Sequence, residues 1–431
     1  MFGAIFFLGG LGSGEGRRYG ISRLLQGEMD TEVFSRPGKK VAYIPAARCR
    51  GRRWQLMERK DMFPGQDTLA YRILEMAAVC GELPASLIGR IPGSTSYKET
   101  VMTALRKGGW LKTCYNDRLR GYRLGRLAKA VLLGGSPERF SFYITGNADT
   151  NRIRSEAARR LRLHRAAEVY ASMMNAGVEV FRDKKLRVFA PDGMEAGALD
   201  MGCPAYYSSR EIKEIGIDAV KIRSSRMMGV LLAPSGIYAV YNNGMHMARW
   251  DYRAELRAKV FLEVVLCRQR LSAIYGGTEA SGLLFGDSLE LFCRILMDAD
   301  GRSRCFFLLD RNYEHFYYLT NDHQGDVLLR LLCDTGRKAE LDRILMQGLH
   351  EKDEGFVVEN DAMDENGNPV LFGYFLDIPR INRFCTALQI QDRQGTIICF
   401  DFQKEALAGL CGRQVELSAI SFEKFERRFF P

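Results

Sequence analysis

The chain has 431 residues, of which 46% are hydrophobic and 11% aromatic, so wholesale disorder is excluded and several domains with their own cores are possible. Its 62 Lys and Arg against 52 Asp and Glu give a net charge of +10, which favours polyanionic partners and salt-dependent binding. The 11 cysteines include no CxxC pair and no zinc-type spacing with histidine. A disulfide framework and a zinc finger are therefore not expected. The protein is expected to be cytoplasmic.

Residues 1–66 are predicted to form a flexible basic arm. Residues 1–8 are apolar but too short for a signal peptide or a membrane span, and no membrane partner is expected. Residues 9–16 are rich in glycine, but Glu15 stands where a phosphate-binding loop needs lysine, so no nucleotide cofactor is expected. The arm ends in basic residues that would either contact phosphates or form a solvated linker: Arg48, Arg50, Arg52, Arg53, Arg59 and Lys60.

Residues 67–135 have the element order of a winged helix. Apolar side chains at three- and four-residue spacing, from Leu69 to Ala78, predict a first helix that stops at Gly81. A second, shorter helix starts at Pro84 and ends before Pro92. After a third helix, the pattern changes to that of a hairpin, with strands over residues 110–114 and 121–124 and a polar turn over 115–118.

The third helix is predicted to begin near Tyr97, because Ser96 and Glu99 have the spacing of a capping box. Tyr97, Val101 and Leu105 would form its inner face. That register turns the following residues outward: Lys98, Glu99, Thr103 and Arg106. Two glycines, at 108 and 109, end the helix.

Charge is the reason to assign a function to this segment. Between residues 98 and 129 there are nine basic and two acidic residues, a local charge of +7. A third helix suited to the major groove, followed by a basic wing, indicates double-stranded DNA binding. The alternative is a protein-interaction module with a solvated basic surface. The predicted DNA contacts are Lys98, Thr103, Arg106, Lys107, Lys112, Arg118, Arg120 and Arg123.

Residues 136–176 are predicted to be an arginine-rich helical connector. One long helix over residues 150–175, capped by Asp149, would place Ile153, Ala157, Leu161, Val169 and Met173 near one face. Its arginines would extend the DNA footprint, bind an acidic partner, or form the solvated face of a packed helix. These arginines are Arg152, Arg154, Arg159, Arg160, Arg162 and Arg165.

Four runs in this part of the chain carry a family resemblance. They are Leu105-Arg-Lys-Gly-Gly-Trp-Leu-Lys, Leu119-Arg-Gly-Tyr-Arg-Leu, Asn151-Arg-Ile-Arg-Ser-Glu and Arg160-Leu-Arg-Leu-His-Arg. Residues 67–175 resemble proteins of conjugative and integrative elements of Gram-positive gut bacteria. They are more loosely similar to the replication-relaxation family of plasmid proteins, in which a winged helix precedes a nuclease-like, often motif-poor domain. The resemblance implies handling of the element's own DNA and assigns no chemistry to any residue.

Residues 177–284 are predicted to form a mixed α/β domain. One hairpin would join residues 178–181 to 186–190, and another would join 228–233 to 237–241. A long helix should begin after Asp251, with Glu255 and Lys259 as a surface pair four residues apart.

Asp192, Glu211 and Lys213 have the order of a metal-dependent endonuclease site, in which carboxylates hold Mg²⁺ and lysine orients water. However, Ser208 and Glu211 also form a capping box, which predicts that Glu211 and Lys213 lie on a helix rather than a strand. The five histidines lack the spacing of a metal-dependent relaxase. No catalytic residue, metal ligand or cofactor is assigned.

Residues 285–431 alternate between helix and strand, which predicts a carboxy-terminal α/β domain. Helices are expected over 288–297, 327–332, 339–346 and 380–388. Strands are expected over 305–309, 316–320, 370–375, 396–400 and 415–420. Asp310, Asp377 and Asp401 each follow a strand and are interpreted as turn residues, while His315 and His323 are interpreted as structural.

The sequence therefore predicts an α+β, multidomain protein in which a winged helix-turn-helix precedes mixed α/β domains. The favoured function is non-enzymatic: sequence-directed binding of double-stranded DNA in the replication, transfer or regulation of a mobile genetic element. Other proteins of the element and a second copy of the chain are possible partners. Two alternatives remain open, an Mg²⁺-dependent nickase or endonuclease targeted by the winged helix and a ligand-responsive transcriptional repressor.

Overall fold

The computed structural model describes residues 63–145, 157–190, 202–247, 251–268, 275, 277, 279–297, 312–351 and 358–431. Several predictions fall outside these ranges: the amino-terminal arm, the start of the arginine-rich helix, Asp192, the strand over 305–309 and Asp310. The described residues are part of one compact unit, residues 55–431. They form a mixed α+β structure with three sheets, which confirms the predicted class.

The chain from Leu69 to Leu124 contains the three predicted helical segments and the predicted hairpin, but Pro84, predicted to start the second helix, lies in a short strand, and that helix is a 3₁₀ helix. Its elements are α1 (Leu69–Cys80), β1 (Leu83–Pro84), a 3₁₀ helix (Ser86–Arg90), α2 (Thr95–Lys107), β2 (Leu111–Asn116) and β3 (Leu119–Leu124). The three strands form an antiparallel sheet in the order β1-β3-β2. Thr68 caps α1, and Gly81 ends it with a positive φ of 77°.

The start of α2 differs from the prediction. Ser94 caps the helix by accepting a hydrogen bond from the Tyr97 backbone N–H at 3.4 Å, so the predicted Ser96–Glu99 capping box is wrong. The helix consequently begins at Thr95, and Tyr97 is 53% exposed instead of buried. The hairpin turn is also tighter than predicted. Asp117 and Arg118 both have positive φ (49° and 63°), the backbone twist that suits a two-residue turn.

Three helices follow the hairpin: α3 (Arg126–Gly135), α4 (Pro137–Ile144) and α5 (Ala157–Asn175). The described part of α5 confirms the predicted helix, but its orientation differs from the expected one. Val169 and Met173 are fully buried, whereas Leu161 is 38% exposed. Arg160, an expected surface residue, is fully buried. In this turn of α5, the Leu161 side chain is therefore on the solvent side and the Arg160 side chain is on the interior side.

The second sheet has the strand order β4-β5-β6-β7-β8. Its strands are β4 (Ala205–Ser208), β5 (Gly229–Ala233), β6 (Gly236–Gly244), β7 (Ala280–Gly286) and β8 (Phe316–Thr320). The first three pair antiparallel, and β6, β7 and β8 pair parallel. Its helices are α6 (Ser209–Ile212), α7 (Tyr252–Arg268) and α8 (Leu289–Met297), with a 3₁₀ segment over Lys213–Ile222. The β5–β6 hairpin, α7 and β8 confirm predictions.

Two predictions about this region are wrong. Residues 178–190 do not form a hairpin: residues 182–184 make a 3₁₀ turn, and Glu179 pairs with Ala205 at the start of β4. Glu255 and Lys259 are not a surface pair, since Glu255 is fully buried and accepts hydrogen bonds from Ser225 and Tyr241. Lys259 instead lies 2.9 Å from a carboxylate oxygen of Glu279.

The third sheet has the order β13-β12-β11-β10-β9. Its strands are β9 (His350–Glu351), β10 (Ala362–Met363), β11 (Pro369–Phe372), β12 (Gly395–Phe400) and β13 (Val415–Ile420). The accompanying helices are α9 (His323–Cys333), α10 (Thr335–Leu345), α11 (Ile378–Gln391), α12 (Asp401–Ala408) and α13 (Phe422–Phe429). The bounds of β8 and β13 match the prediction. Among the described residues, no helix is long and apolar enough to cross a membrane.

Candidate nucleic-acid interface

Six basic side chains are exposed on α2, the β2–β3 hairpin and the start of α3. This basic surface consists of Arg106, Lys107, Lys112, Arg118, Arg120 and Arg126. Only two acidic residues, Glu99 and Asp117, are exposed among the same elements and their turn. Because these elements expose many cations and few anions, the surface has an excess of positive charge suited to phosphate groups.

The register of the hairpin shows which of these residues share a face. Thr113 lies opposite Tyr122, and Tyr115 lies opposite Arg120, so these four side chains are on one face of the hairpin. A shallow concavity is lined by Thr103, Arg106 and Lys107 of α2 and by Leu111 and Thr113 of β2. Arg120 is therefore on the hairpin face that adjoins the exposed side of α2.

Lys112 is on the other face of the hairpin, because it lies directly opposite Arg123. It is exposed, but it does not share a strand face with Thr113 and Arg120. Arg118 occupies the tip of the turn. The predicted contacts Thr103, Arg106, Lys107 and Arg120 thus adjoin one concave surface, while Lys112 lies on the opposite face of the hairpin and Arg118 at its tip.

The prediction that Lys98 points outward is wrong. Its side chain is buried, and Nζ donates hydrogen bonds to the backbone carbonyls of Gly89 at 2.9 Å and Ile91 at 3.0 Å. Lys98 follows the helical spacing of the buried residues Val101, Met102 and Leu105. The ammonium group therefore fastens the end of the 3₁₀ segment to α2 and is not available to a phosphate.

Arg123, another predicted contact, also faces the interior. Its Nε and Nη2 atoms donate to one carboxylate oxygen of Glu82, at 2.9 and 2.7 Å. Glu82 has no exposed surface. It also accepts a hydrogen bond from Arg160 (2.6 Å) and shares a hydrogen bond with His164 (2.8 Å). Glu82, Arg123, Arg160 and His164 are called the Glu82 cluster below. A charged group buried this deeply is tolerable only because its partners compensate for lost hydration.

Arg160 connects α5 to the hairpin. Besides its ion pair with Glu82, its guanidinium donates to the backbone carbonyls of Cys114 (3.1 Å), Asn116 (3.2 Å) and Leu119 (3.0 Å). These carbonyls lie on both strands, next to the turn. The cluster therefore holds the hairpin, and with it Arg118 and Arg120, in a fixed position relative to α5.

The cluster also determines the protonation of Glu82. Burial alone would raise the pKa of this carboxyl, but hydrogen bonds from His164, Arg160 and Arg123 outweigh burial and lower the pKa to about 2. Gly121 of β3 permits the close approach, since a Cβ at that position would lie 2.4 Å from a carboxylate oxygen of Glu82. Glu82 is thus an anion built into the base of the hairpin.

Two exposed aromatic residues were not included in the predicted interface. Tyr115 is 71% exposed and lies opposite Arg120, and Tyr97 is 53% exposed in the first turn of α2. The alternation of the hairpin strands contains the signal for Tyr115, which the sequence prediction assigned to the turn. Tyr97 is exposed because the buried face of α2 runs through Lys98, Met102 and Leu105.

The predicted endonuclease residues do not form a site within the described part of the chain. Glu211 lies in α6, as the capping box predicted, and its carboxylate is 2.8 Å from Lys185 Nζ and accepts from the Ser208 backbone N–H. Lys213 is exposed, and Asp192 lies outside the described residues. No group of three or more His, Cys, Asp or Glu side chains suited to a metal ion occurs in the described ranges.

The residues interpreted as structural have structural partners. His315 Nδ1 lies 2.7 Å from Asp377, which also accepts from the Phe316 backbone N–H. That hydrogen bond raises the pKa of His315. Asp401 accepts from the backbone N–H groups of Phe402 and Phe422. His323 contacts Glu426 at the surface, at 2.6 Å.

No protein-family model, curated protein or solved structure matches this chain. The site must therefore be interpreted from its own geometry and charge.

Proposed function

We propose that residues 67–135 form a winged helix that binds double-stranded DNA through the basic surface. The supporting observation is the exposure of basic residues on two adjoining elements, α2 and the β2–β3 hairpin, in the element order that this motif uses. In this arrangement α2 enters the major groove with Thr103 and Arg106, and the hairpin directs Arg118 and Arg120 at the backbone or minor groove.

The internal basic residues support the same proposal. The β2–β3 hairpin pairs with the short strand β1, and so small a sheet needs further support if its turn is to meet a phosphate. Arg160 and Arg123 supply it through Glu82 and three hairpin carbonyls. The geometry therefore separates two tasks: the Glu82 cluster positions the wing, and the exposed cations contact DNA.

We propose the non-enzymatic function over the nuclease because Glu211 is occupied by Ser208 and Lys185. The resemblance of residues 67–175 to mobile-element proteins supports the narrower proposal that the DNA is the element's own. Its target would be an origin or operator used in replication, transfer or their regulation.

The test is a fluorescence-anisotropy titration of the full chain against duplex DNA over a salt series, with and without Mg²⁺. Replacing both Arg118 and Arg120 with Ala removes two phosphate contacts, so the slope of log K against log salt should become shallower by about 2. Arg343 and Lys404 are exposed outside the basic surface, and their double Ala variant is the matched control.

Equal slopes for the parent and the Arg118/Arg120 variant would exclude the hairpin from the interface. Absence of binding by the parent would favour a protein-interaction module. Mg²⁺-dependent nicking of the DNA, detected on a gel after the titration, would instead favour the endonuclease.

A further inference from the structure

A cavity of about 600 Å³ lies apart from the basic surface, between the amino-terminal helices and the second sheet. One wall contains the end of α1, Tyr143 of α4 and the exposed side of α5. The opposite wall contains β4, the segment after it and the end of β6. Its volume is within the usual range for small-molecule sites.

The charge of the lining is strongly positive. Five basic residues line the cavity, and none of its lining residues in the described part of the chain is acidic: Arg162, Arg165, Arg210, Lys213 and Arg226. Arg210 is held in place, because its Nη2 donates to the backbone carbonyl of Phe142 at 2.6 Å. Clustered cations without a lining carboxylate are unfavourable in an empty cavity and favourable around an anion.

Three buried or half-buried carboxylates nearby have hydrogen-bond or ion-pair partners other than the side chains of the lining cations. Glu168 accepts from Asn242 Nδ2 at 2.9 Å, and Glu211 is 2.8 Å from Lys185 Nζ. Glu255 accepts from the Ser225 hydroxyl and from the backbone N–H of Arg226. The Arg226 side chain is exposed.

A second observation at the cavity points to a ligand. Asn243 lines the cavity, and only 7% of its surface is exposed. Its Nδ2 has no hydrogen-bond partner within the described structure. Its neighbour Asn242 contrasts with it, since Asn242 Nδ2 donates to the Arg165 carbonyl and to Glu168. A buried donor without an acceptor is energetically unfavourable. An oxygen-bearing ligand would satisfy it.

The remaining lining suggests the rest of the ligand. Tyr143, Tyr170 and Tyr206 are buried side chains of the cavity wall, and Met227 is a buried thioether there. Aromatic rings and thioethers favour contact with a flat, partly apolar group. A ligand with one anionic end and one flat end matches this combination better than an inorganic ion does.

We propose that this cavity binds a phosphorylated small molecule of nucleotide size, with its phosphates at the basic residues and its planar group against the tyrosines. Arginine and lysine are the usual phosphate partners, and Asn243 donates to a ligand oxygen. The site is distinct from the basic surface, so the proposal is independent of DNA binding.

The test is isothermal titration calorimetry of the full chain, without DNA, at physiological salt. The probes are a panel of nucleoside diphosphates, the matching uncharged nucleosides, inorganic pyrophosphate and a single-stranded oligonucleotide. We expect at least one nucleoside diphosphate to bind at one site per chain, more tightly than pyrophosphate and its own nucleoside.

Two variants locate the binding. The Lys213→Ala/Arg226→Ala double variant changes only exposed side chains and should weaken binding by about tenfold or more. Asn243→Asp preserves shape but places a carboxylate against the phosphates, and should weaken binding to a similar extent. Arg343→Ala/Lys404→Ala is the control for a change of two positive charges, and unfolding midpoints verify that each variant is folded.

The proposal is overturned if no nucleoside diphosphate binds, or if the cavity variants and the control bind it equally. Binding of only the oligonucleotide would also overturn it, because the cavity would then accept a nucleic-acid strand and not a small phosphate. Equal affinities for pyrophosphate and all nucleoside diphosphates would show that the tyrosines do not contact the ligand. This result would overturn the proposal of a nucleotide-sized ligand.

Discussion

The Glu82 cluster and the basic surface use the same residue types, within the same part of the chain, in opposite ways. Arg160 is buried and Arg123 is partly buried against one carboxylate, whereas Arg118 and Arg120 are exposed on the turn and strand beside them. The difference teaches that a basic run does not identify its own contact residues. What decides the role of each cation is whether an internal anion or carbonyl lies within reach.

The largest expected difference between the two regions is in stability. Glu82→Ala leaves two buried guanidinium groups without their carboxylate, so the free energy of unfolding should fall by about 3–5 kcal/mol. Glu99→Ala, which removes an exposed carboxylate from α2, should change it by less than about 0.5 kcal/mol. Urea unfolding followed by circular dichroism measures both. A loss below about 1 kcal/mol in Glu82→Ala would mean that the cluster does not stabilise the fold.

The second prediction concerns acid. The pKa of Glu82 is about 2 in the folded protein and 4.5 in its ordinary state. Because folding lowers this pKa, the contribution to stability is complete above pH 4.5 and is lost as the pH falls towards 2. The loss should be on the order of 3 kcal/mol. Unfolding free energies of the parent and of Glu82→Gln, measured across this range, should converge as the pH falls. Parallel curves would contradict the lowered pKa.

A third comparison uses two lysines of one helix. Lys98→Ala removes the donor that satisfies the carbonyls of Gly89 and Ile91, and should lower the free energy of unfolding by about 1–3 kcal/mol. Lys107→Ala should change it by less than about 0.5 kcal/mol but weaken DNA binding. Unfolding and anisotropy measurements on both variants separate the two effects. Equal stabilities would show that Lys98 has no internal role.

The smallest expected effect lies within the basic surface itself. Arg106→Ala removes a side chain of the helix proposed to enter the major groove, so discrimination between two duplexes should fall by at least about fivefold. Arg118→Ala should weaken both duplexes alike, since we propose that Arg118, at the tip of the hairpin, contacts phosphate. Competition binding with a preferred and a scrambled duplex measures the ratio. An unchanged ratio in Arg106→Ala would place α2 outside the groove.

Local elements were predictable because their signals are local. The apolar spacing from Leu69 to Ala78 predicted α1, and the turn after Leu232 predicted the β5–β6 hairpin. The prediction of a hairpin over residues 178–190 was wrong because the pairing of this segment is not local. Glu179 pairs with Ala205, so the partner of this segment is distant in sequence and local alternation did not identify it.

The same distinction between local and non-local signals applies to the residues of the candidate site. The exposed positions of Arg106, Arg118 and Arg120 agree with the sequence prediction, because helix spacing and a hairpin turn depend on neighbouring residues. The burial of Arg123 was not predictable, since Glu82 is 41 residues away along the chain. Lys98 was misassigned because Tyr97, four residues before Val101, was taken as part of the buried face instead of Lys98.

The sequence alone determined the α+β class, the three helical segments and the hairpin between Leu69 and Leu124, and the excess of basic residues around them. Only the tertiary structure decided which basic residues face inward and that five others surround one cavity. The physical reason is that periodicity and composition depend on neighbours in the chain. The environment of a charge depends instead on groups brought together from distant segments, where burial makes each partner indispensable.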